Sequence, residues 1–90
     1  MNRLEELREQ IDQTDEQIIK LLNQRAELAL EIKKAKDALK EDTYSPEREK
    51  QILLRVEKLA KQGRFPPESV ANIFKVIISA TRALMGSVAK

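Results

Sequence analysis

The chain has 90 residues, 41% of them hydrophobic, 36% charged and 3% aromatic, which suits one small helical domain spanning residues 1–90 and leaves no room for a second. Its 17 basic against 15 acidic residues leave a net charge of only +2, too slight and too interspersed for a nucleic-acid surface. The absence of Cys and His excludes disulfides, the usual zinc sites, thiol nucleophiles and imidazole acid–base chemistry, so that no metal and no cofactor is expected and any catalysis has to use Arg, Lys, Asp, Glu or hydroxyl groups.

The first predicted element covers about residues 3–40, free of Gly and Pro and rich in Leu, Glu, Gln, Lys and Ala, all good helix formers. Alternate steps of three and four from Leu4 trace Leu4, Leu7, Ile11, Thr14, Ile18, Leu21, Arg25, Leu28, Ile32, Ala35 and Leu39. This is an a/d heptad whose only polar members are Thr14 and Arg25. Met1-Asn2-Arg3 leads straight into the charged pattern. No apolar run reaches the length of a signal-peptide core or a bilayer span, so a cytoplasmic location without membrane contact is expected.

Ser45-Pro46 signals the second start, because serine caps free amides and proline at the first helical position gives up no hydrogen bond. A helix is expected over about 46–62, with Ile52, Leu53, Val56, Leu59 and Ala60 on one face, Glu49 one turn earlier, and Gly63 as the stop. Pro66-Pro67-Glu68-Ser69 opens a third helix over about 67–86. Its stripe is Val70, Ile73, Phe74, Ile77, Thr81, Leu84 and Val88, with Ile78 and Met85 beside it, and fraying is expected after Gly86.

The fold class is therefore all-α, a three-helix protomer with one very long first helix. At 1.5 Å per residue roughly 36 residues make a rod of about 54 Å, longer than a compact monomer of this size. The two shorter helices fold back beside it and leave part of the seam uncovered. An intertwined six-helix homodimer, two long helices packed across a two-fold axis and wrapped by the others, covers it throughout. A plain two-stranded coiled coil with a helical appendage satisfies the heptad equally, but not the continuous apolar faces of the second and third helices.

An isolated Arg25 in this seam would read as a half-buried cation paired with a carboxylate. Lys36 follows 11 residues later, about three turns and roughly 16 Å along the axis, with only about 20° of rotation. Alone, Lys36 would be a solvated charge like Lys33 and Lys34. Arg48 stands in a first turn, against the helix dipole, whereas Glu49 suits that place. Thr81 in mid-helix would ordinarily bond back to its own backbone. Together, Arg25, Lys36, Glu49 and Thr81 face inward from three helices and outline a cationic pocket for a carboxylated small molecule. Arg8, 17 residues and about 25 Å from Arg25, reaches the same ligand only from the other chain of an antiparallel dimer.

The segments LREQIDQTDEQIIKLLNQRAELALEIKKAK, YSPERE and IFKVIISATRAL resemble the all-helical class of chorismate mutases across essentially the whole chain. The resemblance implies an intertwined homodimer that converts chorismate to prephenate on the route to phenylalanine and tyrosine. It implies that Arg8 of the partner chain and Arg25 hold the two substrate carboxylates, and that Lys36 donates to the ether oxygen. Arg48 and Glu49 would line the site, Glu49 accepting from the ring hydroxyl, with Thr81 near a carboxylate where the family often has serine. Two positions depart from the pattern. Ser45 stands where some members have Asp, a position whose backbone amide can serve the hydroxyl. Met85 stands where the family usually has Gln or Glu as a second donor to the ether oxygen, and methionine cannot donate. Weakened mutase activity is expected, unless Arg82 or a water substitutes.

Other readings are the isochorismate-pyruvate lyase branch of the same family, and a low-activity regulatory or dimerisation module of a shikimate-pathway enzyme whose fused domain would begin after helix three. A basic helical nucleic-acid binder needs a one-sided cationic surface, and here basic and acidic residues alternate.

Overall fold

In the computed structural model three α-helices follow one another: α1 (Arg3–Ala38), α2 (Pro46–Ala60) and α3 (Pro67–Val88). The residues described are 2–42 and 44–88, and the side chains of Ser87 and Val88, the latter expected on the α3 stripe, lie outside that description. No strand occurs among the described residues.

Local chemistry sets the helix ends. Asn2 caps α1 by accepting the Glu5 amide at 2.8 Å, and Glu5 and Glu6 place negative charge at the positive end of the dipole. α1 ends slightly earlier than the expected 40, because Lys40 enters the left-handed region at φ 57. The Glu41 amide then donates to the Lys36 carbonyl at 2.8 Å and the Lys40 amide to that of Asp37 at 3.1 Å. This is a Schellman closure built without glycine. Ser45 Oγ accepts the Arg48 amide at 3.2 Å and Pro46 begins α2. That helix stops at Ala60, not 62, and Gly63 is not its left-handed terminator. No glycine here has positive φ; the last turn tightens through Gln62 N–H to Leu59 O at 3.2 Å and Gly63 N–H to Ala60 O at 3.1 Å. α3 runs through Gly86 to Val88, past the expected end at 86.

α3 is the centre of the protomer. It packs against α2 and against α1, whereas the backbones of α1 and α2 stay apart. The buried apolar residues are Ala29 of α1, Val56 of α2, and Ala71 and Ile78 of α3. This core is too small to close the chain on itself. Residues 2–21 are all exposed, and seam residues from Leu4 to Leu39 are 39–69% exposed where they are large and apolar. The molecule extends 57 × 26 × 15 Å with a radius of gyration of 16.5 Å, against about 12 Å for a compact chain of this length.

One charge departs from expectation. Lys33, expected in solvent, is 8% exposed. It stands one turn beyond the buried Ala29 on the same face, so its stem is covered while its ammonium reaches Asp37 at 3.0 Å. No described helix is long and apolar enough to cross a membrane.

Candidate active site

The second half of α1, the start of α2 and the second half of α3 converge on a pocket of about 290 Å³, at the lower end of the size range of small-molecule sites. α1 contributes Arg25, Leu28, Ala29, Ile32 and Lys36; α2 and its cap contribute Ser45, Arg48 and Glu49; α3 contributes Ile78, Thr81, Arg82 and Met85. Arg25 and Lys36, three turns apart, stand at the two ends of the α1 wall with Leu28, Ala29 and Ile32 between them. Of the eight residues singled out in the sequence, Arg25, Lys36, Ser45, Arg48, Glu49, Thr81 and Met85 meet here. Arg8 does not: it is exposed in the first turns of α1.

Arg25 is half-buried and donates from Nη1 to Thr81 Oγ1 at 3.0 Å, while that hydroxyl donates to the Ile77 carbonyl at 2.7 Å. Thr81 therefore does both things considered for it: it bonds back to its own helix and presents a lone pair to the pocket cation. Glu49 accepts from Arg82 Nε at 3.3 Å, and the Arg82 guanidinium lies 5.1 Å from the centroid of the Tyr44 ring. With Arg82 half exposed and Glu49 less so, the pair contributes at most about 1 kcal/mol to stability. Ser45 combines its two positions: its hydroxyl is spent on the cap, and it stands at the mouth of the pocket.

Sequence reasoning gave Arg82 only a substitute's part and gave Tyr44 none. The signal is weak because Arg82 flanks the apolar stripe of α3 and Tyr44 lies in the connection before α2, where no period operates. The apolar walls at Leu28, Ile32 and Ile78 were legible as core positions but not as parts of a pocket.

Electrostatically, Arg25, Lys36, Arg48 and Arg82 face one carboxylate, Glu49, in this lining. Such a site suits an anion carrying a hydroxyl donor for Glu49. Among the described residues no group of three or more acidic side chains is placed to hold a metal ion. A second cavity, about 280 Å³, lies on the other side of the Arg25–Thr81 pair and is otherwise walled by Leu22, Ala26, Val76, Ile77, Ala80 and Leu84. The two cavities differ sharply in chemistry, one cationic and one apolar.

The family described as "Chorismate mutase type II" matches residues 7–86. A bifunctional chorismate mutase/prephenate dehydratase of Aquifex aeolicus is 41% identical over 87 residues, 93% of this chain and 24% of that protein. The chain thus spans about a quarter of such bifunctional relatives. A chorismate mutase of Methanocaldococcus jannaschii is 34% identical over 84 residues, covering 93% of this chain and 85% of that one. The solved chorismate mutase of Thermus thermophilus (form II) superposes with a TM-score of 0.89 at 29% identity, over 99% of this chain and 100% of that one.

Proposed function

The chain belongs to the type II chorismate mutase family, and on that premise we propose that it converts chorismate to prephenate, in the cytoplasm, with the pocket on α1, α2 and α3 as its active site. The observation that carries this reading is the placing of Arg25 and Lys36 at the two ends of one small-molecule pocket.

The reaction is a one-substrate pericyclic rearrangement, so the protein has to hold a chair-like conformer and stabilise charge as it separates. Arg25 takes one substrate carboxylate, with Thr81 steadying the guanidinium. Lys36 donates to the ether oxygen, on which negative charge grows as its bond to the ring breaks. Glu49 accepts from the ring hydroxyl, helped by the Ser45 backbone amide, and Arg48 adds positive potential at the mouth. No proton has to be transferred. Met85 offers no donor to the ether oxygen, and one missing donor there costs on the order of 100-fold in rate, about 3 kcal/mol.

The second carboxylate goes to Arg8 of a partner chain in an intertwined homodimer. Support comes from area: the chain exposes 7637 Å², whereas a folded monomer of its mass exposes about 5,400 Å². An excess of roughly 2,000 Å² per chain is what an obligate dimer buries. The exposed half of α1 supplies the matching surface, and the apolar cavity behind Arg25 is a seat for the partner's helix.

The test is the loss of chorismate absorbance on adding purified protein, with product analysis on chorismate and isochorismate and with Arg25→Ala alongside. Prephenate from chorismate, abolished in the variant, is the expected result. Pyruvate released from isochorismate with chorismate untouched overturns the reading.

A further inference from the structure

The residues that would act on substrate are divided between two helices whose backbones do not approach each other closely. Arg25 and Lys36 lie on α1, Ser45, Arg48 and Glu49 lie at the start of α2, and the backbone of α3 lies close to both helices while those of α1 and α2 stay apart. Besides the short connection between them, α3 is the element that packs on both and fixes their relative placement. Consecutive residues of α3 make a polar link to each: Thr81 accepts from Arg25 of α1 at 3.0 Å, and Arg82 holds Glu49 of α2 at 3.3 Å. Successive helical side chains diverge by about 100°, so one dipeptide can reach both neighbours.

The second link has two parts. Arg82 uses Nε on the Glu49 carboxylate and sets its guanidinium carbon over the Tyr44 ring, 5.1 Å from the centroid. It thus grips α2 at its first turn and the connection leading into it, on either side of the Ser45 cap. Half exposed as it is, such a pair adds little to stability. Its effect is geometric, because a guanidinium fork fixes direction as well as distance.

We propose that Arg82 is a positioning residue for the rearrangement: by clasping Glu49 and Tyr44 it sets the acceptor on α2 in register with the cations on α1. This deepens the mutase reading and rests on it. A displaced acceptor leaves binding largely to the other cations but loses the aligned conformer, so the effect falls on kcat more than on KM.

The experiment is a double-mutant cycle with steady-state chorismate turnover. Arg82→Met lowers kcat roughly 10–100-fold with a smaller change in KM. Arg82→Lys, which keeps the charge but not the Nε donor or the planar face, recovers only part of this. In a Glu49→Gln background Arg82→Met costs little more, because the group it positions is gone. Tyr44→Leu, which alters no residue of the pocket lining itself, lowers kcat by a smaller factor and serves if Arg82→Met fails to fold. Unchanged kcat in the folded variants, or fully additive losses in the double variant, overturns the proposal. A parent protein that leaves chorismate untouched sinks the mutase reading instead. The clasp is then decided by Tyr44, the single tyrosine of a chain without tryptophan. Arg82→Met and Glu49→Gln each raise acrylamide quenching of its emission if the clasp exists, and unaltered quenching in both refutes it.

Discussion

The two halves of α1 carry the same heptad and meet different fates. From residue 22 onward the helix has buried and half-buried positions at Leu22, Arg25, Ala26, Ala29, Leu30, Lys33 and Lys36, most of them on the side that meets α3 and the pocket. Before residue 22 every described position is exposed, although Leu4, Leu7, Ile11 and Ile18 continue the apolar pattern with Thr14 as its one polar member. One half finds its partners within the chain and the other does not. A helix of this length thus serves as a wall of its own pocket at one end and, on the dimer reading, as a limb offered to a second copy at the other, with Arg8 as the cargo of that limb.

Breaking the self-contained half gives the largest effect. On the proposed mutase reading, Arg25→Ala removes a carboxylate ligand and leaves Thr81 without its donor, so kcat/KM for chorismate falls roughly 10²–10³-fold. Lysine at this position restores little, since it lacks the planar fork. Retained turnover in Arg25→Ala would move the site elsewhere.

Breaking the outward half costs about as much in activity, by a different route. Arg8→Ala is expected to lose on the order of 100-fold in turnover while every pocket group of its own chain stays in place. Mixing Arg8→Ala chains with Arg25→Ala chains after joint refolding separates the two halves outright. A hybrid dimer has one site with both defects and one with neither, so about a quarter of parent activity returns. If Arg8 acted within its own chain, every hybrid site would carry one defect and nothing would return. On the dimer reading, Ile11→Glu, with charge in the apolar seam of both chains, shifts the protein toward monomer in sedimentation and takes the activity with it. A monomer that keeps full activity would remove the limb's catalytic part.

What the sequence disclosed follows the same division. The heptad located α1, Ser45-Pro46 and Pro67 located the other starts, and the polar breaks at Arg25, Lys36, Glu49 and Thr81 located the pocket, because period and polarity act over neighbouring turns. Helix ends were less legible. Gly63 is no terminator and Gly86 interrupts nothing, while Lys40 does the work expected of a glycine. Lys33 looked solvated because its partner, Asp37, is one of many acids on the helix, and only three-dimensional packing decides which lysine stem is covered. The Arg82–Glu49–Tyr44 contact joins α3 to the start of α2, and no period links residues so far apart.

Met85→Gln sharpens the self-contained half instead of breaking it. Met85 lies half-buried in the pocket lining, one turn after Thr81. An amide there can donate to the ether oxygen alongside Lys36, so kcat should rise, by up to about 100-fold if nothing else now supplies that bond. An unchanged or lower rate would mean that Met85 does not stand where the developing charge needs a donor, or that Arg82 already meets the need.

The smallest effect concerns the point where α1 ends. Lys40 holds φ 57, and the bonds from Glu41 to Lys36 and from Lys40 to Asp37 require that conformation. An L-residue with a Cβ costs roughly 1–2 kcal/mol there, and glycine does not. Against this, glycine makes the unfolded chain more mobile, by about 0.4–1 kcal/mol. The balance favours Lys40→Gly by up to about 1.6 kcal/mol, seen as a rise in the thermal midpoint. Its concentration dependence carries the comparison further. Lys40 closes the half of α1 that packs within the chain, so the gain per chain should be the same at every protein concentration. A lesion in the outward half, such as Ile11→Glu, should instead cost most when the protein is dilute and dissociation competes with folding. A Lys40→Gly gain that grew or vanished with dilution would show that the end of α1 is also part of the surface between chains.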